Sequence, residues 1–144
     1  IAGVVAESSE GAIESLEAYG RNLGIAFQLV DDAIDYGGDA ETMGKDAGDD
    51  FREGKLTLPV ILAYKRGDDA ARTFWRNAIQ EGRTDEEDFA RACIYMQDVG
   101  AIDDTLQRAR HYGRLALDAI ADFPAGAAKE ALSETVRFAI SRAY

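Results

Sequence analysis

Cysteine is nearly absent: Cys93 is the only one in 144 residues, so no internal disulfide can staple the chain. A reducing, cytoplasmic compartment is the expected setting, and the thiol reads as core filler. One cysteine and one histidine also leave too few soft ligands for a zinc site. Only Pro59 and Pro124 interrupt the backbone, so long stretches are free to run as helix. Cations are outnumbered, 16 Lys and Arg against 27 Asp and Glu, for a formal charge of −11. Such a surface repels phosphate backbones and argues against nucleic acid as a partner. No apolar run approaches the roughly 20 residues needed to span a bilayer, so no transmembrane segment is expected. The phosphate-cradling G-x-x-x-x-G-K-[ST] loop is missing, since Asp46 follows Lys45 and Leu56 follows Lys55. The calcium-loop order of acids, glycine and glutamate is missing too.

What is present has helical spacing. Between turn signals the apolar residues recur three and four apart, which predicts an all-α chain long enough for one compact domain. Ser8 or Ser9 can cap a long helix to about Tyr36, with Ile13, Leu16, Leu23, Phe27, Val30 and Ile34 as its apolar positions. Gly37-Gly38 ends it, and a polar, glycine-punctuated segment continues to about Gly54, too long for a simple connector. A buried helix is predicted from Thr57, with Pro59 in its first turn and Gly67 at its end. Asp68 or Asp69 opens another through Phe74, Trp75 and Ile79, and Thr84-Asp85-Glu86-Glu87 reads as the capping box of the next. Two more are predicted over 103–121 and 126–143, with Leu106, Leu115, Ile120, Leu132, Val136 and Ile140 facing inward. The start, Ile1-Ala2-Gly3-Val4-Val5-Ala6, has neither initiator Met nor cap and reads as the interior of an apolar helix, so a fragment is expected.

The charge is concentrated. Residues 31–53 hold nine acids against Lys45 and Arg52, a net of −7 in one short stretch. Residues three, four and seven apart share a helix face, so Gln28, Asp31, Asp32 and Asp35 are predicted to project together. Further back along that stripe stand Gly24 and Gly20, which leave room for a neighbouring helix or a ligand. Carboxylates about 6 Å apart repel by roughly 3 kcal/mol at an effective dielectric of about 20, but by only a few tenths on a solvated helix. Taken alone, the aspartates are most simply a solvated acidic face. Gly44-Lys45 and Gly54-Lys55 shift that balance, because two cations beside three carboxylates suit a metal-bridged diphosphate: magnesium prefers oxygen ligands, and lysine binds the phosphate oxygens that the metal leaves. Salt bridges within the loop are the plainer reading of the lysines. His111, beside Arg108, Arg110 and Arg114, is given no role; Phe74, Trp75 and Tyr95 are most simply core.

From Phe27-Gln28 through Asp31-Asp32-Ala33-Ile34-Asp35 to Gly44-Lys45-Asp46-Ala47-Gly48-Asp49-Asp50-Phe51-Arg52-Glu53-Gly54-Lys55-Leu56-Thr57-Leu58-Pro59, the chain resembles the trans-polyprenyl diphosphate synthases, in spacing as well as residue type. The later helices, the Phe123-Pro124 break and the ending Ser141-Arg142-Ala143-Tyr144 resemble long-chain members such as octaprenyl and decaprenyl diphosphate synthases. The resemblance implies the C-terminal helices of an isoprenoid-synthase-type bundle around a central cavity, with residues 1–144 as the C-terminal part of one domain. The first of the family's two aspartate-rich motifs is not in the chain and would lie upstream. It implies Mg2+ as cofactor and head-to-tail condensation of isopentenyl diphosphate with an allylic diphosphate, yielding a long all-trans chain such as a quinone side chain. By position, Asp31 would be a direct magnesium ligand, Asp32 and Asp35 would act directly or through water, Gln28, Lys45 and Lys55 would contact the allylic diphosphate, and Phe27 would line the apolar cavity. A homodimer is the common family assembly. Asp46, where proline is common, and Phe51, where leucine is common, depart from the pattern without removing a metal or phosphate contact. The alternatives are a terpene cyclase or head-to-head condensing enzyme, a non-catalytic subunit of a heteromeric synthase, and a plain acidic interaction module. Half an active site predicts no activity for the 144 residues alone.

Overall fold

The computed structural model describes residues 2–5, 7–37, 47–82 and 85–142. Lys45, with Gly44 and Asp46, lies outside the described residues, as do Thr84 and the last two positions. The described elements are helices, as the periodicity predicts: α1 (Ala2–Val5), α2 (Glu10–Gly37), α3 (Asp49–Arg52), α4 (Leu58–Arg66), α5 (Asp69–Glu81), α6 (Glu86–Asp98), α7 (Ala101–Ala119) and α8 (Ala127–Ser141). Among the described residues no helix is long and apolar enough to cross a membrane.

Helix ends obey local chemistry. Ser9 Oγ accepts from Ala12 N at 3.4 Å ahead of α2. Thr57 precedes α4, Pro59 sits in its first turn where a missing N–H costs nothing, and Gly67 closes it. Asp68 caps α5 by accepting from Ala71 N at 2.8 Å. For α6 the cap is Asp85, a member of the expected capping box, accepting from Asp88 N at 2.9 Å; Thr84 lies outside the described residues. Helix α7 begins at Ala101, ahead of the predicted Asp103, because Gly100 in the left-handed region (φ 62°) turns the chain straight out of α6.

The chain forms two compact units, residues 1–30 with 108–142, and residues 31–107. Helices α2 and α7 contribute residues to both. In the first, Tyr19, Ala116, Ile120 and Val136 are buried together, with Leu23, Phe123, Leu132 and Ile140 packed around them. The Tyr19 hydroxyl donates to Leu132 O at 2.9 Å, so the phenol is buried with its polar end satisfied. Leu115, expected inward, is 37% exposed. The inward positions of this stretch of α7 are small instead, Ala109, Gly113 and Ala116, and they let α8 come close. A Cβ on Gly113 would overlap Ile140 Cδ1 and stand 3.2 Å from its Cγ1 and 3.4 Å from Val136 Cγ1.

The second unit is held by aromatic packing. Phe51 and Trp75, both 1% exposed, meet edge to face at 6.2 Å, and Phe89 bridges Phe51 and Tyr36 at 5.8 and 6.1 Å. Val60, Leu62, Ala78, Ala92 and Met96 fill the space between. Phe74 and Tyr95 are half-buried and pack beside this core with ring centroids 5.2 Å apart and planes tilted by 48°, as their helical spacing implies. Cys93 is half-buried, its Sγ 3.7 Å from Tyr36 O, and burial pushes its thiol up. It is core filler rather than a reactive thiolate.

Gly113→Ala tests the close approach in the first unit. Alanine gains about 1 kcal/mol of helix propensity, but overpacking costs about 1–3 kcal/mol, so urea unfolding is expected to show a net loss. Adding Ile140→Val, which removes the overlapping methyl, is expected to restore part of it. A Gly113→Ala protein more stable than its parent would show that α8 does not lie against this glycine.

Candidate functional site

Helix α2 delivers the acidic residues, and burial divides them. Asp31 is half-buried, Asp32 is 7% exposed and Asp35 is half-buried. Gln28, one turn earlier on the same helix, is exposed. The predicted stripe therefore runs along the border of the buried side, with Asp32 leaning toward the core side that holds Ala33 and Tyr36. Gly20 and Gly24 are exposed, and a Cβ on either would meet nothing within 4 Å.

Asp35 is a structural clamp. Its Oδ1 accepts from Asp49 N and its Oδ2 from Asp50 N, both at 3.1 Å, while its carbonyl accepts from Gly48 N at 2.9 Å. The opening N–H groups of α3, which have no partner inside a helix, are thus capped by a carboxylate fourteen residues earlier in the chain. Gly48 makes this possible: it adopts φ 89°, and a Cβ there would stand 2.8 Å from the Phe89 ring. Burial pushes the Asp35 carboxyl up, and the nearby Asp50 and Asp49 carboxylates push the same way; the Asp50 and Asp49 amides oppose them. Each carboxylate oxygen has a second acceptor position, so the clamp does not use up Asp35.

Asp50 joins this clamp to the second glycine-lysine pair. Its amide binds Asp35, and its Oδ1 accepts from Lys55 Nζ at 2.7 Å. Lys55 Nζ also pairs with Glu53 Oε2 at 2.7 Å, and Lys55 N donates to Asp50 O at 2.9 Å. Hydrogen bonds that the Lys55 ammonium donates to Asp50 and then to Glu53 push its pKa well above the usual lysine range, although the side chain is exposed. The loop salt bridges anticipated as the plainer reading are present. Sequence reasoning misses Asp50, because an acid five residues before a lysine carries no signal until a turn brings them together.

Phe27, expected among the apolar positions of α2, is 43% exposed. Its ring is covered instead by Arg142, whose guanidinium carbon lies 4.7 Å from the ring centroid. Among the described residues no group of three or more His, Cys, Asp or Glu converges closely enough to hold a metal ion. The donors on this segment are hard carboxylate oxygens, the ligand type that magnesium and calcium take.

A family model, polyprenyl synthetase, matches residues 1–96. The chain belongs to the polyprenyl synthetase family. Octaprenyl diphosphate synthase of Haemophilus influenzae is 36% identical over 143 residues, covering 99% of the chain. Among solved structures, a polyprenyl synthase from Caulobacter crescentus, complexed with calcium and isoprenyl diphosphate, superposes over 98% of the chain with a TM-score of 0.88 and 49% identity. A decaprenyl diphosphate synthase from Rhodobacter capsulatus does so over 99% with a TM-score of 0.90 and 37% identity. The fold is therefore the all-α isoprenoid-synthase type, and the relatives include the long-chain synthases that the sequence resembles. The chain spans about two fifths of these synthases, 43% of the Haemophilus and Caulobacter proteins and 44% of the Rhodobacter one.

Asp35→Ala tests the clamp apart from any ligand. Losing two charge-assisted bonds to backbone amides is expected to weaken the segment by about 1–3 kcal/mol. Amide exchange at residues 48–52 should then quicken about tenfold or more, while Asp31→Ala leaves it unchanged. Equal protection in both variants would mean that Asp35 does not hold α3.

Proposed function

We propose that the chain is the C-terminal part of a magnesium-dependent trans-polyprenyl diphosphate synthase, condensing isopentenyl diphosphate head to tail with an allylic diphosphate. The observation that carries this reading is the division of labour at the second aspartate motif. Asp35 anchors the helix to the turn after it, the same turn holds Lys55 charged, and Asp31 stands half-open one helical turn earlier. Kinship with a protein solved with calcium and isoprenyl diphosphate supports the use of a divalent ion and a prenyl diphosphate.

The residues fit such an ion in donor chemistry. Asp31 would hold it directly, Asp35 through its remaining acceptor positions, and buried Asp32 by way of water. With no three-acid group among the described residues, the remaining ligands are water, substrate oxygens and the carboxylates of the upstream motif. Bound magnesium supplies positive charge against the diphosphate as it leaves. Lys55 and Lys45 add to that charge: Lys55 is exposed, and of its two present partners Glu53 is exposed and pairs weakly in water, while the more buried Asp50 keeps the ammonium at the turn. Gln28 donates to the diphosphate from the open face of α2, and Phe27 lines the apolar surface beside it. A negatively charged protein can bind a diphosphate in this way because metal and lysine stand between the two sets of anions.

In the full-length protein, Asp31→Ala is expected to cut prenyl transfer by about a hundredfold or more while helical content by circular dichroism stays unchanged. Turnover near that of the parent would sink the assignment. A cyclase or a head-to-head enzyme would instead make product from the allylic diphosphate with isopentenyl diphosphate left out. The 144 residues alone are expected to make no polymer from farnesyl and isopentenyl diphosphates with magnesium; chain elongation by the pure piece would show that the upstream carboxylates are not needed.

A further inference from the structure

Cations in the second unit mostly face acids. Among the described residues of 31–107, Arg52, Lys55, Arg66, Arg72 and Arg91 each have a carboxylate partner. Among the same residues Lys65 and Arg76 have none, and Arg76 Nη2 donates only to Thr73 Oγ1, at 3.4 Å. Both cations line one feature, a groove of about 280 Å³ between α4 and α5, wholly within this unit. Leu56, Val60, Ile61 and Ile79 give the groove apolar walls, and Leu56 and Ile61 are exposed. Trp75 lines it too: the residue is 1% exposed, and its indole N–H is buried without a hydrogen-bond partner. A buried donor of that kind costs free energy until an acceptor meets it.

Apolar walls, two cations and an unpaired donor fit a ligand with hydrocarbon at one end and an oxyanion at the other. The volume lies just below the roughly 300–1,000 Å³ of small-molecule pockets, so the chain is of medium length. The head is singly charged, because two cations without a metal leave a diphosphate under-neutralised, whereas a guanidinium fork matches a carboxylate. We propose that the α4–α5 groove binds a medium-chain carboxylate of the fatty-acid class, its head at Lys65 and Arg76 and its chain along Val60, Ile61 and Ile79. The inference stands apart from the prenyltransferase reading.

Calorimetric titration of the full-length protein with octanoate tests it, beside 1-octanol, which has the same chain without the charge. Octanoate is expected to saturate a single site with a dissociation constant of about 1 mM or tighter, and octanol to bind about tenfold more weakly. Reversing both cations, Lys65→Glu with Arg76→Glu, should weaken octanoate about tenfold or more and leave octanol unchanged. The pair Lys65→Ala with Arg76→Ala gives the answer should the reversed protein fail thermal unfolding controls. Ile61→Asp, on the exposed wall, should weaken both ligands. Octanoate affinity equal in the parent and the charge variants would overturn the proposal, placing the ligand elsewhere. Octanol binding as tightly as octanoate would overturn it too, and so would a parent that binds no octanoate, as when another part of the full-length protein fills the groove. Prenyl transfer by the parent bears on the enzyme reading alone, so the two can fail separately.

Discussion

The turn after α2 is held by one carboxylate. Asp35 commits both of its oxygens to the opening amides of α3 and its carbonyl to Gly48, and the packing of the neighbouring residues depends on this fixed point. Gly48 can then lie against Phe89, Phe51 enters the aromatic core against Trp75, and Asp50 is left facing Lys55. Without the clamp, the short α3 would have no capping group, since Gly48 offers no side chain, and a four-residue helix cannot sustain itself in water. The acidic motif is therefore a piece of scaffold as well as a candidate ligand set.

That double use explains which features are legible in the sequence and which are not. Helix existence is legible, because apolar spacing and the Asp and Gly punctuation report local chemistry. The two ends of α4 and the start of α5 are set by Thr57, Pro59, Gly67 and Asp68, and the end of α5 by Gly82. The α6 cap is ambiguous because Thr84 and Asp85 are both good caps and only the backbone geometry decides between them. Leu115 misleads about the inward face of α7, since a large apolar residue is the usual core signal, whereas Gly113 and its small neighbours mark the close packing. At the site, the family spacing singles out Asp31, Asp35 and Lys55 as candidates, but the Asp35 clamp and the Asp50 link are not legible, since neither pairing follows helical spacing. Arg142 over Phe27 is hidden for the same reason at a longer range.

The electrostatics of the turn favour exchange over locking. Lys55 is held by Asp50 and Glu53 yet remains exposed, and its pair with exposed Glu53 contributes little because water screens it, whereas Asp50 is more enclosed. A lysine held in this way stays near the segment without being committed to its partners. On the proposed reading, the oxygens of a diphosphate would compete with Asp50 and Glu53 for this ammonium. Until one arrives, the acids around Lys55 act as a holder for the cation.

The three aspartates are thus unequal, and their inequality reflects where each one meets the core. Asp35 is tied to backbone, Asp32 is nearly enclosed beside the side of α2 that carries Ala33 and Tyr36, and Asp31 is half-buried. A flexible carboxylate must be ordered when it binds a cation, and that ordering opposes binding. A helix fixed by Asp35 at one end of the motif removes much of that cost for Asp31 at the other, because the backbone between them cannot fray. On the proposed reading, the clamp and the ligand are then two parts of one device: Asp35 gives up its freedom to the fold, and Asp31 would present its carboxylate from a helix already fixed.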